Sequence, residues 1–167
     1  MRLSQDEIRE LATTFKTSNR HPPHTALYAF ASLLADDKLA ESVGESFTDA
    51  EERRVWVLTG ITDASLIRVC ASSAYDGWSW QEPGSEDQQR NEDLAATRWP
   101  LAALRSLNVV HVQDATFPGD SAYGWSADWC VTMRDGETIR LPSSDALLNP
   151  ADRERIESLI AVICQHI

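Results

Sequence analysis

Near its start, the chain places apolar residues three and four positions apart, which is the spacing of one buried helix face. The first such series follows a capping box formed by Ser4 and Glu7, and it predicts a helix over residues 5–17. The second series predicts another helix that begins near residues 23–25. The apolar residues of the two series are Ile8, Leu11 and Phe15, followed by Leu27, Phe30, Leu33 and Leu34.

Further along, apolar positions alternate with polar ones, as they do in β-strands. Two β-rich runs, 55–59 and 65–71, are joined by residues 60–64 and predict a hairpin. In the second run, alternation places Arg68 toward water. The residues expected on the core face are then Ile67, Val69 and Ala71.

Other strands are predicted on either side of this hairpin. An earlier strand over 39–47 is interrupted by Gly44, because glycine weakens a strand interior. Asp135-Gly136 is a strong hairpin signal between two later strands. The later strands cover residues 97–99, 108–113, 125–133 and 137–141, and a short turn or helix covers 100–105.

The last predicted element is a helix with clear start signals. Asn149 is an N-cap, Pro150 takes the first helical position, and Asp152 and Glu154 complement the positive end of the helix dipole. One apolar stripe follows, formed by Ile156, Leu159, Ile160 and Ile163. Two leading helices, six or seven antiparallel strands and this terminal helix predict an α+β fold in a single domain over residues 1–167.

The charge of the chain excludes several classes of partner. Lys and Arg number 15 and Asp and Glu number 26, which gives a net charge of −11. This field repels nucleic-acid phosphates and anionic lipid headgroups, so neither nucleic acid nor a membrane is expected as a partner. The N-terminus lacks an apolar signal core, and no apolar run reaches the roughly 18 residues of a membrane span. A cytoplasmic location is therefore predicted.

Cysteines and histidines do not form a recognisable cofactor or metal site. Cys70, Cys130 and Cys164 are far apart, odd in number and surrounded by apolar residues, which predicts reduced structural thiols. His21 and His24 are three positions apart, but two prolines lie between them and no third ligand is near in sequence. No cofactor and no metal are therefore predicted.

From Leu34 onward, four features resemble the bacterial PH-like domains, which are related in shape to PH and GRAM domains. They are the acidic turn and strand at 34–44, the strands at 55–59 and 66–69, the Trp-Pro-Leu-Ala-Ala-Leu segment at 99–104, and the Asp-Gly hairpin with its terminal amphipathic helix. The resemblance implies a partly open antiparallel barrel over 34–167, closed by the C-terminal helix and preceded by a helical segment over 1–33. It also implies lipid-headgroup binding, but residues 60–64 lack the basic side chains that the family carries there.

Candidate catalytic groups are few. His111 with Asp114 has the residue types of an acid–base pair, and Ser106 and Ser121 are nucleophiles by residue type only. No Gly-x-Ser-x-Gly elbow and no Gly-rich phosphate loop accompany them. The sequence therefore favours a non-catalytic protein, and no catalytic residue is assigned.

The six tryptophans are the least ordinary feature of the composition. Trp56 and Trp99 lie in strand contexts and are interpreted as core residues. The remaining aromatic residues either fill the core of a small barrel or border one exposed groove beside a polar loop over 82–93, where they would form a contact site. The residues of this candidate binding site are Tyr75, Trp78, Trp80, Tyr123 and Trp125.

Three functional hypotheses remain open. The first is an interaction module that binds a protein segment, or a second copy of itself as a homodimer, through the aromatic residues and a sheet edge. The second is a small-molecule-binding protein or enzyme with an enclosed pocket near His111. The third is recruitment to lipid headgroups, which only the resemblance suggests.

Overall fold

The computed structural model describes residues 4–17, 20–73, 93–115, 124–142 and 150–167. Within them, the helices α1 (Gln5–Thr14) and α2 (His24–Leu34) precede the first strand, and the helix α3 (Pro150–Cys164) follows the last. The strands are β1 (Leu39–Thr48), β2 (Arg54–Thr62), β3 (Ser65–Ser73), β4 (Asp93–Pro100), β5 (Leu104–Ala115), β6 (Gly124–Met133) and β7 (Thr138–Arg140). A short 3-10 helix, Leu101–Ala103, links β4 to β5.

The strands form two antiparallel sheets. One has four strands in the order β1-β2-β3-β4, and the other has three in the order β5-β6-β7. No strand pairing joins the two sheets within the described residues, so they do not form a closed barrel. The α+β class, the antiparallel strands and the C-terminal helix that the sequence predicts are thereby confirmed.

The outer face of the four-stranded sheet is covered by α1 and α2. Trp56 and Leu58 of β2 and Ile67 and Val69 of β3 form a buried cluster with residues of these helices. The helix residues in this cluster include Ile8, Ala12, Phe15, Ala26, Leu27 and Phe30. The rings of Phe15 and Phe30 meet edge to face, with centroids 4.6 Å apart. The apolar stripes read from the sequence are therefore the surfaces that α1 and α2 bury.

Two glycines allow the helices to approach this face closely. A Cβ atom at Gly60 would lie 2.6 Å from a ring carbon of Phe30, and one at Gly44 would overlap the backbone carbonyl of Phe15. Strand β1 runs through Gly44 without a break, from Leu39 to Thr48. The predicted interruption at Gly44 is therefore wrong, because the glycine serves helix–sheet contact rather than a strand end.

The inner face of the same sheet is partly covered by the second sheet and α3. Val43, Ile61 and Leu66 belong to a buried cluster that also contains residues from β6, β7 and the terminal helix. The α3 residues in the cluster are Ile156, Leu159 and Ile163, so the predicted apolar stripe is confirmed at these positions. Trp99 packs against this cluster, and its indole N–H donates to Glu137 Oε2 at 3.0 Å.

Strand β3 is buried on both faces, which corrects the predicted position of Arg68. Ile67 and Val69 lie on the outer face, whereas Leu66 lies on the inner face among residues of the other sheet. Because side chains alternate along a strand, Arg68 shares the inner face with Leu66 and does not point away from the core. Arg68 is half-buried, and its Nε atom is closed to solvent.

Arg98 connects the C-terminal end of α2 to the edge strand β4 of the four-stranded sheet. Arg98 of β4 donates to the carbonyl of Leu33 at 2.8 Å, to Asp37 Oδ2 at 2.6 Å and to Ser65 Oγ at 2.9 Å. The first of these bonds satisfies a carbonyl in the last turn of α2, which has no partner inside the helix. The leading helices are thus bound to the sheet by charge-assisted hydrogen bonds as well as by apolar packing.

Candidate interaction surface

Of the predicted aromatic site, the structure describes only the backbone of Trp125. Tyr75, Trp78, Trp80 and Tyr123 lie outside the described residues. The backbone of Trp125 is part of β6 and pairs in register with Asp114 of β5, while its side chain is outside the described set. The backbone of Trp125 therefore lies beside the C-terminal end of β5.

Strand β5 is a terminal strand of its sheet. Among the described residues, it pairs only with β6, so its second edge has no hydrogen-bonded neighbour there. With twelve residues it is longer than an average strand. A long terminal strand presents a row of backbone donors and acceptors to any other strand that approaches it.

Apolar side chains are exposed along this strand. Val109, Val110 and Val112 are 47 %, 58 % and 57 % exposed. The pairing with β6 shifts between Val109 and His111, which leaves Val110 as the extra residue of a bulge. The exposed valines and the open edge coincide on one strand, and together they define the surface that we call the β5 edge.

The charge along the β5 edge differs from that of the whole chain. Residues 106–113 contain no Asp, Glu, Lys or Arg, although the chain carries a net charge of −11. Arg105 precedes this uncharged stretch and Asp114 follows it. Arg105 is exposed and has no ion-pair partner among the described residues. The strand thus has a cationic residue at one end and an acidic residue at the other.

His111 is exposed on β5 next to exposed valines. This position does not fit the enclosed pocket that the second hypothesis requires. Asp114, its proposed acid–base partner, belongs to β5, but its side chain lies outside the described residues. The two residues are therefore not shown to form an acid–base pair.

Two concave regions lie elsewhere on the described surface. A cleft of about 720 Å³ lies between α1, α2, β1 and α3, with Leu11, Leu34 and Leu39 among its lining residues. A smaller pocket of about 310 Å³ brings Arg105 and Arg134 together with His166. These three residues are distant in sequence, so no run of basic residues could have indicated their proximity.

The cysteines and the described helices add little to a chemical function. Cys70 and Cys130 are half-buried, whereas Cys164 is exposed. Burial raises the pKa of the Cys70 thiol, while the charge of Arg68 opposes this shift and that of Glu45 adds to it. In the described part of the chain, no cluster of three or more His, Cys, Asp or Glu could hold a metal ion. None of its helices is long and apolar enough to cross a membrane.

Comparisons of the chain with family models, with curated proteins and with solved structures gave no match. The functional assignment must therefore come from the residues and their arrangement.

Proposed function

We propose that this chain is a non-catalytic protein-interaction module that self-associates through the β5 edge. The observation that carries the proposal is the exposure of Val109, Val110 and Val112 on a strand that pairs only with β6 in the described part of the chain. Pairing a second strand there would satisfy backbone groups and remove three valines from water.

The charges at the two ends of the strand favour a second copy as the occupant. In an antiparallel pair of β5 strands, the first residues of each copy lie beside the last residues of the other, which brings Arg105 of each copy toward Asp114 of the other. Both ends then bring opposite charges together, and the uncharged stretch 106–113 separates them. This arrangement offsets part of the repulsion between two chains of net charge −11.

The proposal includes a PH-like shape for residues 34–167. Support comes from the order of the elements, in which a four-stranded sheet precedes a three-stranded sheet and a C-terminal helix. We infer that the two sheets and α3 form the partly open barrel that the resemblance implies. Lipid-headgroup binding is not part of the proposal, because the β2–β3 turn contains Asp63 and no basic residue.

Light scattering of the intact chain over a range of concentrations tests the proposal. We expect a dimer whose dissociation constant rises about tenfold when Arg105 is changed to Glu, since both end contacts then become repulsive. The double variant Arg105→Glu/Asp114→Arg restores opposite charges at both ends and should recover the dimer. Val110→Lys should weaken the dimer independently, because lysine protects strand edges from pairing.

Arg134→Glu is a matched control, since Arg134 is also exposed and lies near Arg105 but does not belong to β5. It should leave the dissociation constant close to that of the unmodified chain. A monomer at all concentrations would contradict self-association. A dimer that the double variant does not restore would contradict the antiparallel β5 arrangement.

A further inference from the structure

Arg68 lacks the partners that other half-buried arginines of the chain have. Arg53 binds Asp49, Arg98 binds Asp37, and Arg155 donates to the carbonyl of Thr14. The Arg68 side chain makes no hydrogen bond or ion pair with any other described residue, and its Nε atom is buried without an acceptor. A partly desolvated guanidinium without an acceptor is unfavourable, and a bound anion would remove that cost.

Thr59 lies directly across from Arg68, and its side chain also has a buried polar atom without a hydrogen-bond partner among the described residues. The two residues pair in register between β2 and β3 and share the inner face of the sheet. Thr59 is fully buried, and its Oγ1 atom has no hydrogen-bond partner in the described part of the chain. Buried hydroxyls in proteins are nearly always bonded. The Arg68 guanidinium donates only and the Thr59 hydroxyl can also donate, so one acceptor between the two strands would satisfy both groups.

The inner face is accessible from the β4 side. Thr97 pairs in register with Arg68, and Ala95 pairs with Cys70, and both of these β4 residues are exposed. Their side chains are small, so neither of them covers the arginine as a long side chain would. Thr59 itself is closed to solvent, so Arg68 is the partly exposed member of the pair.

The local charge limits the kind of anion. Arg68 and Glu45 both act electrostatically on Cys70, so one positive and one negative side chain lie near the same thiol. A single negative charge on the ligand matches one guanidinium, whereas a phosphate dianion would add repulsion from Glu45. A carboxylate also fits the planar donor geometry of arginine.

We propose that the inner face of the four-stranded sheet binds the carboxylate of a small organic acid, with Arg68 and Thr59 as its hydrogen-bond donors. This site is separate from the β5 edge and does not depend on self-association. It gives the module a small-molecule ligand in addition to its protein contact.

Thermal unfolding of the intact chain in sodium acetate, phosphate and chloride, at equal ionic strength and pH, tests the proposal. We expect acetate to raise the unfolding midpoint above that in the other two salts, because a ligand bound only by the folded state stabilises it. Arg68→Met should abolish the difference, Thr59→Val should reduce it, and Arg105→Met should leave it unchanged. In labelled protein, acetate should shift the amide resonances of residues 57–61 and 66–70.

The salt series separates a binding role of Arg68 from a structural one. A structural role would lower the midpoint of Arg68→Met equally in all three salts and leave the acetate effect in place. An equal response of the unmodified chain to all three salts would overturn the proposal. A preference for phosphate over acetate would show an anion site of different chemistry and would also contradict it. If Arg68→Met does not fold, Arg68→Gln provides the same comparison.

Discussion

The two faces of the four-stranded sheet differ in what covers their polar groups. On the outer face, α1 and α2 bury an apolar cluster that contains Phe30, Trp56 and Leu58. On the inner face, Val43, Ile61 and Leu66 pack against the second sheet and α3, while Thr59 and Arg68 have buried polar atoms without hydrogen-bond partners among the described residues. The outer face also has one unpartnered buried hydroxyl, that of Ser46, but its register partner is Trp56 and not a charged residue.

This difference indicates separate roles for the two faces. A closely packed apolar face contributes stability and tolerates little change. A half-polar face with unsatisfied donors contributes less stability than its buried area suggests, because each unsatisfied group costs about 1–3 kcal/mol. Such groups concentrate at functional sites, where a ligand supplies the missing partner. The outer face is therefore fully packed, and it is the inner face, around Thr59 and Arg68, that we propose as the ligand-binding face.

The largest expected effect is the loss of an aromatic ring from the outer face. Phe30 is fully buried, so Phe30→Ala should lower the free energy of unfolding by about 3–5 kcal/mol through lost burial and a residual cavity. The matched change on the inner face is Phe47→Ala, because Phe47 is 41 % exposed there. We expect it to cost less than about 1 kcal/mol. Similar losses in denaturant unfolding would contradict the contrast between the faces.

A pair of threonines on β2 gives an intermediate test. Thr62, on the outer face, is buried, and its hydroxyl accepts from the backbone N–H groups of Ala64 and Ser65 at 3.2 and 3.0 Å. Thr62→Val should cost about 1–3 kcal/mol, because both donors lose their acceptor. Thr59→Val removes a hydroxyl that has no partner, so we expect no loss or a small gain of stability.

Chemical denaturation of the two valine variants beside the unmodified chain measures this contrast. The two substitutions change the same atoms on the same strand, so strand propensity cancels in the comparison. Equal destabilisation by both would mean that Thr59 is satisfied in solution. That result would also remove Thr59 from the proposed carboxylate site.

Most of the fold was predictable because each of these elements buries one face, and the apolar residues of that face recur at a regular spacing in the sequence. The stripes of α1 and α3 and the Asp135-Gly136 hairpin required only local patterns. The predicted position of Arg68 is wrong because its strand is covered on both faces, where alternation no longer separates core from solvent. The continuous apolar run at 55–58 in β2 is typical of a strand that is covered on both faces. Because β3 is the hairpin partner of β2, this run could have indicated that Arg68 is half-buried.

The candidate surfaces were less predictable than the fold. Alternation along β5 indicated two faces, but only the sheet order shows that this strand ends its sheet. The bulge at Val110 likewise depends on pairing with β6 and has no local signal. The pairing of Thr59 with Arg68 depends on the register of β2 and β3, which the hairpin prediction left undefined.

The smallest expected effect is a pH dependence that only the inner face should show. Burial raises the pKa of the Cys70 thiol, so in the unfolded chain this group ionises first, at about pH 8.5. Its contribution to stability is then fully present below that pH and is lost as the pH rises toward the folded-state pKa.

Cys70→Ala and Cys70→Ser should both flatten the decline of stability above about pH 8.5, measured by urea unfolding. The outer cluster contains no ionisable side chain, so Leu58→Val should lower stability without changing this slope. An unchanged slope in both Cys70 variants would mean that the inner face is more hydrated than its burial indicates.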